Sequence, residues 1–231
     1  MFPEPTPIKQ PIGIRPELIV DQPTILRIQQ HGKGLSSGRF TILRPDANTD
    51  SVAKQSSSAA EKSPNDGDNA SASPVLLYVD GKYGSLESKR SFCDASGLPL
   101  FDLYHKSVGV TWYVELPGGA SGTPVMRLAP RASSLKDKLE VTVYNAAVNG
   151  EEVTLLVEGQ DIWKQRTNVY LGHKVVLTAK RTDKWSVYVP GKKVEWVVDV
   201  VAGMDVAVAS VIVVVLAANM YDSSMQSSSS A

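Results

Sequence analysis

The chain has 231 residues, and its 24 Lys and Arg are balanced by 24 Asp and Glu. Zero net charge excludes the basic excess expected of a protein built around nucleic acid, and the length suits a single barrel or sandwich. The one cysteine, Cys93, has no partner for an internal disulfide, which points to a reducing, intracellular setting.

Residues 1–22 carry prolines at positions 3, 5, 7, 11 and 16, with no basic stretch ahead of an apolar segment. They read as an extended Pro-rich arm and not as a signal peptide. Residue 23 opens the body of the chain, in which short runs rich in Val, Leu, Tyr and Trp are broken by Gly, Pro, Asp and Asn. The first candidate strands are 24–29, 39–44, 75–79, 89–93, 100–105 and 111–116. They continue at 125–128, 139–144, 153–158, 167–171, 174–180, 185–189 and 194–201. In 139–144 the odd positions Leu139, Val141 and Val143 are apolar, the period of a half-buried strand. Turn residues sit between the runs, as at Asp80-Gly81 and Asp94-Ala95-Ser96-Gly97. About a dozen strands at roughly 8–12-residue spacing predict an all-β barrel or sandwich.

Two stretches lack this pattern. Residues 47–74 are dominated by Ser, Ala, Asn, Asp and Lys, with Val52 the one large aliphatic. Such a segment buries too little apolar surface to offset its ordering entropy and reads as a disordered insertion, as does the tail 223–231.

The other uncharged stretch is Val206 to Tyr221, 16 residues flanked by Asp205 and Asp222. A bilayer span needs about 20 apolar residues, and this run contains Ser210 and Asn219 and has no basic cluster beside it. A helix apolar on every side is also what the bore of a closed barrel would enclose. Both readings stay open on the residues alone, with the enclosed helix favoured.

Several motifs carry a resemblance. Phe92-Cys93-Asp94-Ala95-Ser96-Gly97-Leu98-Pro99-Leu100-Phe101 is similar to a D-x-x-G-x-P-L hairpin, Trp112 follows on the next strand, and Val200-Val201-Ala202-Gly203-Met204-Asp205 is similar to a V-x-x-G-x-D entry into a core helix. In this order they resemble the LURP-one-related family of the tubby C-terminal-like and phospholipid scramblase-like superfamily, over about residues 23–222. The resemblance implies a closed barrel of roughly 12 strands enclosing the hydrophobic C-terminal helix. It makes Asp94, Gly97, Pro99, Gly203 and Asp205 the structural positions to watch. Physical reasons accompany them: glycine where a side chain would strain the backbone, proline where a strand starts without an N–H, and an aspartate able to cap a helix. The four tryptophans, Trp112, Trp163, Trp185 and Trp196, read as core or barrel wall.

No catalytic, cofactor or metal constellation emerges. His31, His105 and His173 lie far apart. Cys93 beside Phe92 reads as a small buried hydrophobe. The glycines around Gly32-Lys33-Gly34 do not fit a phosphate loop. Basic residues gather at Lys89-Arg90, Arg127 with Arg131, Lys136 with Lys138, Lys180-Arg181 with Lys184, and Lys192-Lys193. Solvated hairpin cations are the simpler account of them. Tubby proteins bind phosphoinositide headgroups in a basic pocket, but no residue here aligns with that pocket. The resulting expectation is a non-enzymatic cytoplasmic binding or adaptor module that touches anionic phospholipid or phosphoinositide headgroups peripherally, with an unidentified protein partner and no nucleic acid. The alternative is a scramblase-like membrane protein with the C-terminal run in the bilayer.

Overall fold

The computed structural model describes residues 5–31, 39–45, 74–81, 89–106, 109–118, 123–131, 138–160, 165–182 and 195–228, the last ten of these in backbone only. Twelve antiparallel strands follow one another around a closed barrel. They are β1 (Thr24–His31), β2 (Arg39–Leu43), β3 (Val75–Gly81), β4 (Arg90–Asp94), β5 (Pro99–His105), β6 (Trp112–Glu115), β7 (Met126–Arg131), β8 (Lys138–Asn145), β9 (Glu151–Gly159), β10 (Arg166–Leu171), β11 (Lys174–Arg181) and β12 (Glu195–Val200). Each pairs with its sequence neighbours, and β1 closes on β12 from Thr24 opposite Val200 to Gln29 opposite Glu195. Closure leaves no strand edge open. The expected all-β barrel around a C-terminal helix is the one observed. The candidate strand at 185–189 and all of the insertion read at 47–74 except Pro74 lie outside the described residues.

Alternation decides what points inward. In β12 the buried residues are Trp196, Val198 and Val200, and in β1 they include Leu26 and Ile28. The same period corrects two assignments in β4. Arg90 shares the inward face with Phe92 and is itself buried, its guanidinium 5.2 Å from the centre of the Trp112 ring. It is therefore not one of the solvated cations. Cys93, one position on, turns outward and is half-exposed instead of buried.

A single helix, α1 (Val206–Ser228), fills the bore. From Val206 to Val215 every side chain is buried. Valine is a mediocre helix former, because its branched Cβ is restricted against the preceding turn. Burying a valine side chain is worth roughly 1.5–3 kcal/mol, several times the propensity loss, so packing wins. Ala207, Ala209 and Ser210 supply small surfaces between the valines, and the Ser210 hydroxyl donates to the Val206 carbonyl at 2.7 Å. The hydroxyl that weakened a membrane reading is thus satisfied within the helix. The helix also runs past the end expected at Tyr221 and into the supposed disordered tail, since no Gly or Pro stands between residues 206 and 228 to stop it.

The N-terminal arm is part of the same packing. Apart from a short 3-10 turn at Pro16–Leu18 it is extended. Ile12, Ile14 and Val20 join the apolar core, and Ile12 and Ile19 form isolated bridges with Met204 and Asp205. The arm therefore closes the mouth through which α1 enters.

Candidate functional site

Even-numbered strands of an up-and-down barrel all end at one mouth, and there the arm, the end of β8 and the β12–α1 junction meet. Asp205 lies at the centre, fully buried. Its Oδ1 accepts from the Ala207 N–H at 2.6 Å, the bond of a helix N-cap. Its Oδ2 accepts from the N–H groups of Ile14 and Arg15, each at 2.9 Å. One carboxylate thus ties the first turn of α1 to the arm, and the Asp205 N–H adds a bond to the Ile12 carbonyl at 2.9 Å. Burial pushes the carboxyl up to about 6, against the downward pull of the Arg15, Ala207 and Ile14 amides, while Glu17 nearby pushes upward.

Asn145, at the end of β8, makes a parallel tie. Its Oδ1 accepts from Gly13 N–H at 3.0 Å and Ala147 N–H at 3.2 Å, and its Nδ2 donates to the Pro11 carbonyl at 2.7 Å. No sequence pattern marks Asn145 or Gly13, because 132 residues separate them. Gly13 permits the close approach: a Cβ there would lie 2.8 Å from the Asp205 Cβ and 3.0 Å from its Oδ2. Gly203 is held at φ +88°, and a Cβ on it would sit 2.7 Å from Ile8 Cγ1.

Gly203→Ala therefore combines backbone strain with a clash against the arm. The expected loss is about 2–4 kcal/mol, or a thermal midpoint lower by roughly 5–15 °C for a chain of this size. Differential scanning calorimetry checks it, and an unchanged midpoint would mean that the arm yields freely at Ile8.

Residues 68–217 match the LURP-one-related family. The chain belongs to the LURP-one-related family. Among solved structures it resembles the crystal structure of a protein from Arabidopsis thaliana, with 17% identity and a TM-score of 0.52 over 88% of this chain and 94% of that one. At that identity the likeness shows the fold alone. No curated protein matches the sequence.

In this LURP-one-related barrel the five positions singled out from sequence form two groups at the same mouth. Gly203 and Asp205 belong to the helix entrance. Asp94, Gly97 and Pro99 form the β4–β5 hairpin, where Asp94 Oδ1 accepts from Ser96 N–H at 2.8 Å, Ser96 Oγ at 2.7 Å and Leu98 N–H at 2.9 Å. Those bonds, the Ser96 hydroxyl foremost, hold the Asp94 carboxyl below its ordinary range. Gly97 takes φ +87° in the turn, and Pro99 begins β5 opposite Cys93. Among the described residues no hydrogen bond joins this turn to Asp205.

The histidines and the cysteine stay apart. His31 Nε2 pairs with Thr41 Oγ1 at 2.9 Å, His105 packs edge-on against Trp112, and His173 is exposed in the β10–β11 turn. Partial burial pushes the Cys93 thiol up, with Asp80, Asp94 and Asp102 adding to it, so the thiolate is disfavoured at neutral pH. Among the described residues no group of His, Cys, Asp and Glu could hold a metal ion.

Cations on the outer wall are mostly matched by carboxylates on neighbouring strands. The pairs are Arg27–Glu195 at 3.9 Å, Arg39–Asp80 at 3.1 Å, Lys89–Asp102 at 2.9 Å, Arg131–Glu140 at 3.9 Å, Lys138–Glu158 at 2.5 Å and Lys180–Asp199 at 2.9 Å. Each is worth about 0–1 kcal/mol of stability, and each offsets the positive field of the one cation it pairs. Lys136, Lys184, Lys192 and Lys193, and the tryptophans Trp163 and Trp185, lie outside the described residues.

Proposed function

We propose that this chain is a non-enzymatic intracellular binding or adaptor module that meets anionic membrane lipids at its periphery. The observation that carries the reading is the filled bore: α1 occupies the space in which a barrel enzyme or carrier would hold its ligand, leaving binding to the mouths and the outer wall. The neutralised strand pairs limit the attraction to the cations that remain, so the contact is weak and electrostatic. The scramblase-like alternative draws less support, since no helix among the described residues is long and apolar enough to cross a membrane and Val206–Val215 is enclosed by strands.

Flotation with vesicles tests the proposal. The protein is expected to float with phosphatidylcholine vesicles containing phosphatidylserine or a phosphoinositide at low salt, and not with phosphatidylcholine alone. Near 1 M salt the Debye length falls to about 3 Å, and binding should vanish. Binding that persists at high salt, or that ignores lipid charge, overturns the peripheral reading.

A further inference from the structure

Where the arm passes the ends of β9, β10 and β11 it leaves a half-open groove of about 250 Å³. Its apolar surface comes from Ile8 and Ile12 of the arm, Val153 of β9 and Leu171 of β10, and Lys9 and Lys174 stand beside them. The groove is preformed. Thr6 N–H donates to the Val175 carbonyl at 2.8 Å and Ile12 N–H to the Gly203 carbonyl at 2.9 Å, so the arm wall is pinned on both sides.

Unpaired charge and apolar surface meet at this place. Six cations elsewhere on the wall face carboxylates across strands, Lys106 and Arg127 do not, and Lys9 and Lys174 have no hydrogen-bond or ion-pair partner among the described residues. Glu151 at the rim accepts from Gln10 Nε2 at 2.9 Å, a bond that leaves its charge in place but turns the carboxylate to Gln10 and to neither lysine. Two unmatched ammonium groups beside an apolar floor suit a ligand with a negative head and a short hydrocarbon tail. An inorganic anion would leave the floor in water, and a neutral amphiphile would leave the lysines unmatched.

We propose that this groove binds a free medium-chain fatty acid, its chain on Ile8, Ile12, Val153 and Leu171 and its carboxylate held by Lys9 and Lys174. A dry cavity of about 150 Å³ takes benzene, so the volume here suits a chain of roughly eight carbons. The inference rests on the chain being a binding module, and it does not require that the chain contact vesicles.

Titration calorimetry of the full-length chain with octanoate, 1-octanol and acetate tests it. Octanoate is expected to bind with a Kd under about 1 mM, and octanol and acetate at least about tenfold more weakly. Two variants separate the contributions. Lys9→Glu with Lys174→Glu, both exposed positions, should weaken octanoate about tenfold without moving the thermal midpoint. Val153→Phe should fill the groove and remove binding. Absence of octanoate binding, or an affinity unchanged in both variants, overturns the assignment. If these variants abolish vesicle flotation while octanoate fails to bind the wild type, the occupant is a bilayer lipid and the free-acid assignment falls. If octanoate behaves as expected and the wild type does not float, the groove assignment stands and the membrane reading falls.

Discussion

A chain ending at residue 204 is expected to be insoluble or unfolded, and Val213→Asp should behave alike. Val213 is completely buried midway through the enclosed stretch of α1. A carboxylate there has no partner, which costs several kcal/mol even after it takes up a proton. Total stability for a domain is only about 5–15 kcal/mol. Truncation is more severe still, because Leu26, Ile42, Leu77, Val141 and the other inward residues would line an empty bore. Val213→Ala supplies the graded control: a cavity one or two methyl groups in size should cost about 1–3 kcal/mol and leave a folded barrel. Circular dichroism and gel filtration read the outcome. A monodisperse β-rich monomer from residues 1–204 would show that the helix is an accessory and not the core.

The second large effect belongs to Asp205. Replacing it with alanine leaves the amides of Ile14, Arg15 and Ala207 buried without acceptors. Each unsatisfied donor costs about 1–3 kcal/mol, so Asp205→Ala is expected to lose at least about 3 kcal/mol and to release the arm. Proteolysis near residues 12–15 should then precede global unfolding. Asp205→Asn retains one oxygen but presents an NH2 group toward a donor, and its loss should be smaller.

Asn also cannot titrate, which makes the variant a pH control. The folded carboxyl sits at about 6, above the ordinary value of about 3.9 in the unfolded chain. Between those values the native state binds more protons than the unfolded state, so the stability contributed by this group is full below about pH 4 and is lost as pH rises through 6. From pH 7 to pH 5 the wild type should therefore gain about 1.3 kcal/mol relative to Asp205→Asn in urea unfolding. A difference that stays constant would mean that the three amides and the helix N-terminus keep the carboxylate ionised at both values.

Much of this fold is written in local pattern. Alternation in segments such as Leu139–Val143 places side chains on alternate faces whatever the partner strand, and Gly97 beside Asp94 supplies turn chemistry that works within five residues. The uncharged run after Asp205 specified a helix apolar on all sides, and its shortness together with Ser210 weighed against a bilayer. Closure settled the rest. Only the pairing of β1 with β12 makes a bore that encloses α1. Strand phase, more than residue type, sent Arg90 inward beside Trp112 and turned Cys93 out. The mouth was the least legible part, since the bonds from Asp205 to Ile14 and from Asn145 to Gly13 join residues 191 and 132 positions apart. A buried amide needs an acceptor wherever the chain can bring one, and a Pro-rich arm carries no periodicity to reveal that its partners lie at the far end of the sequence.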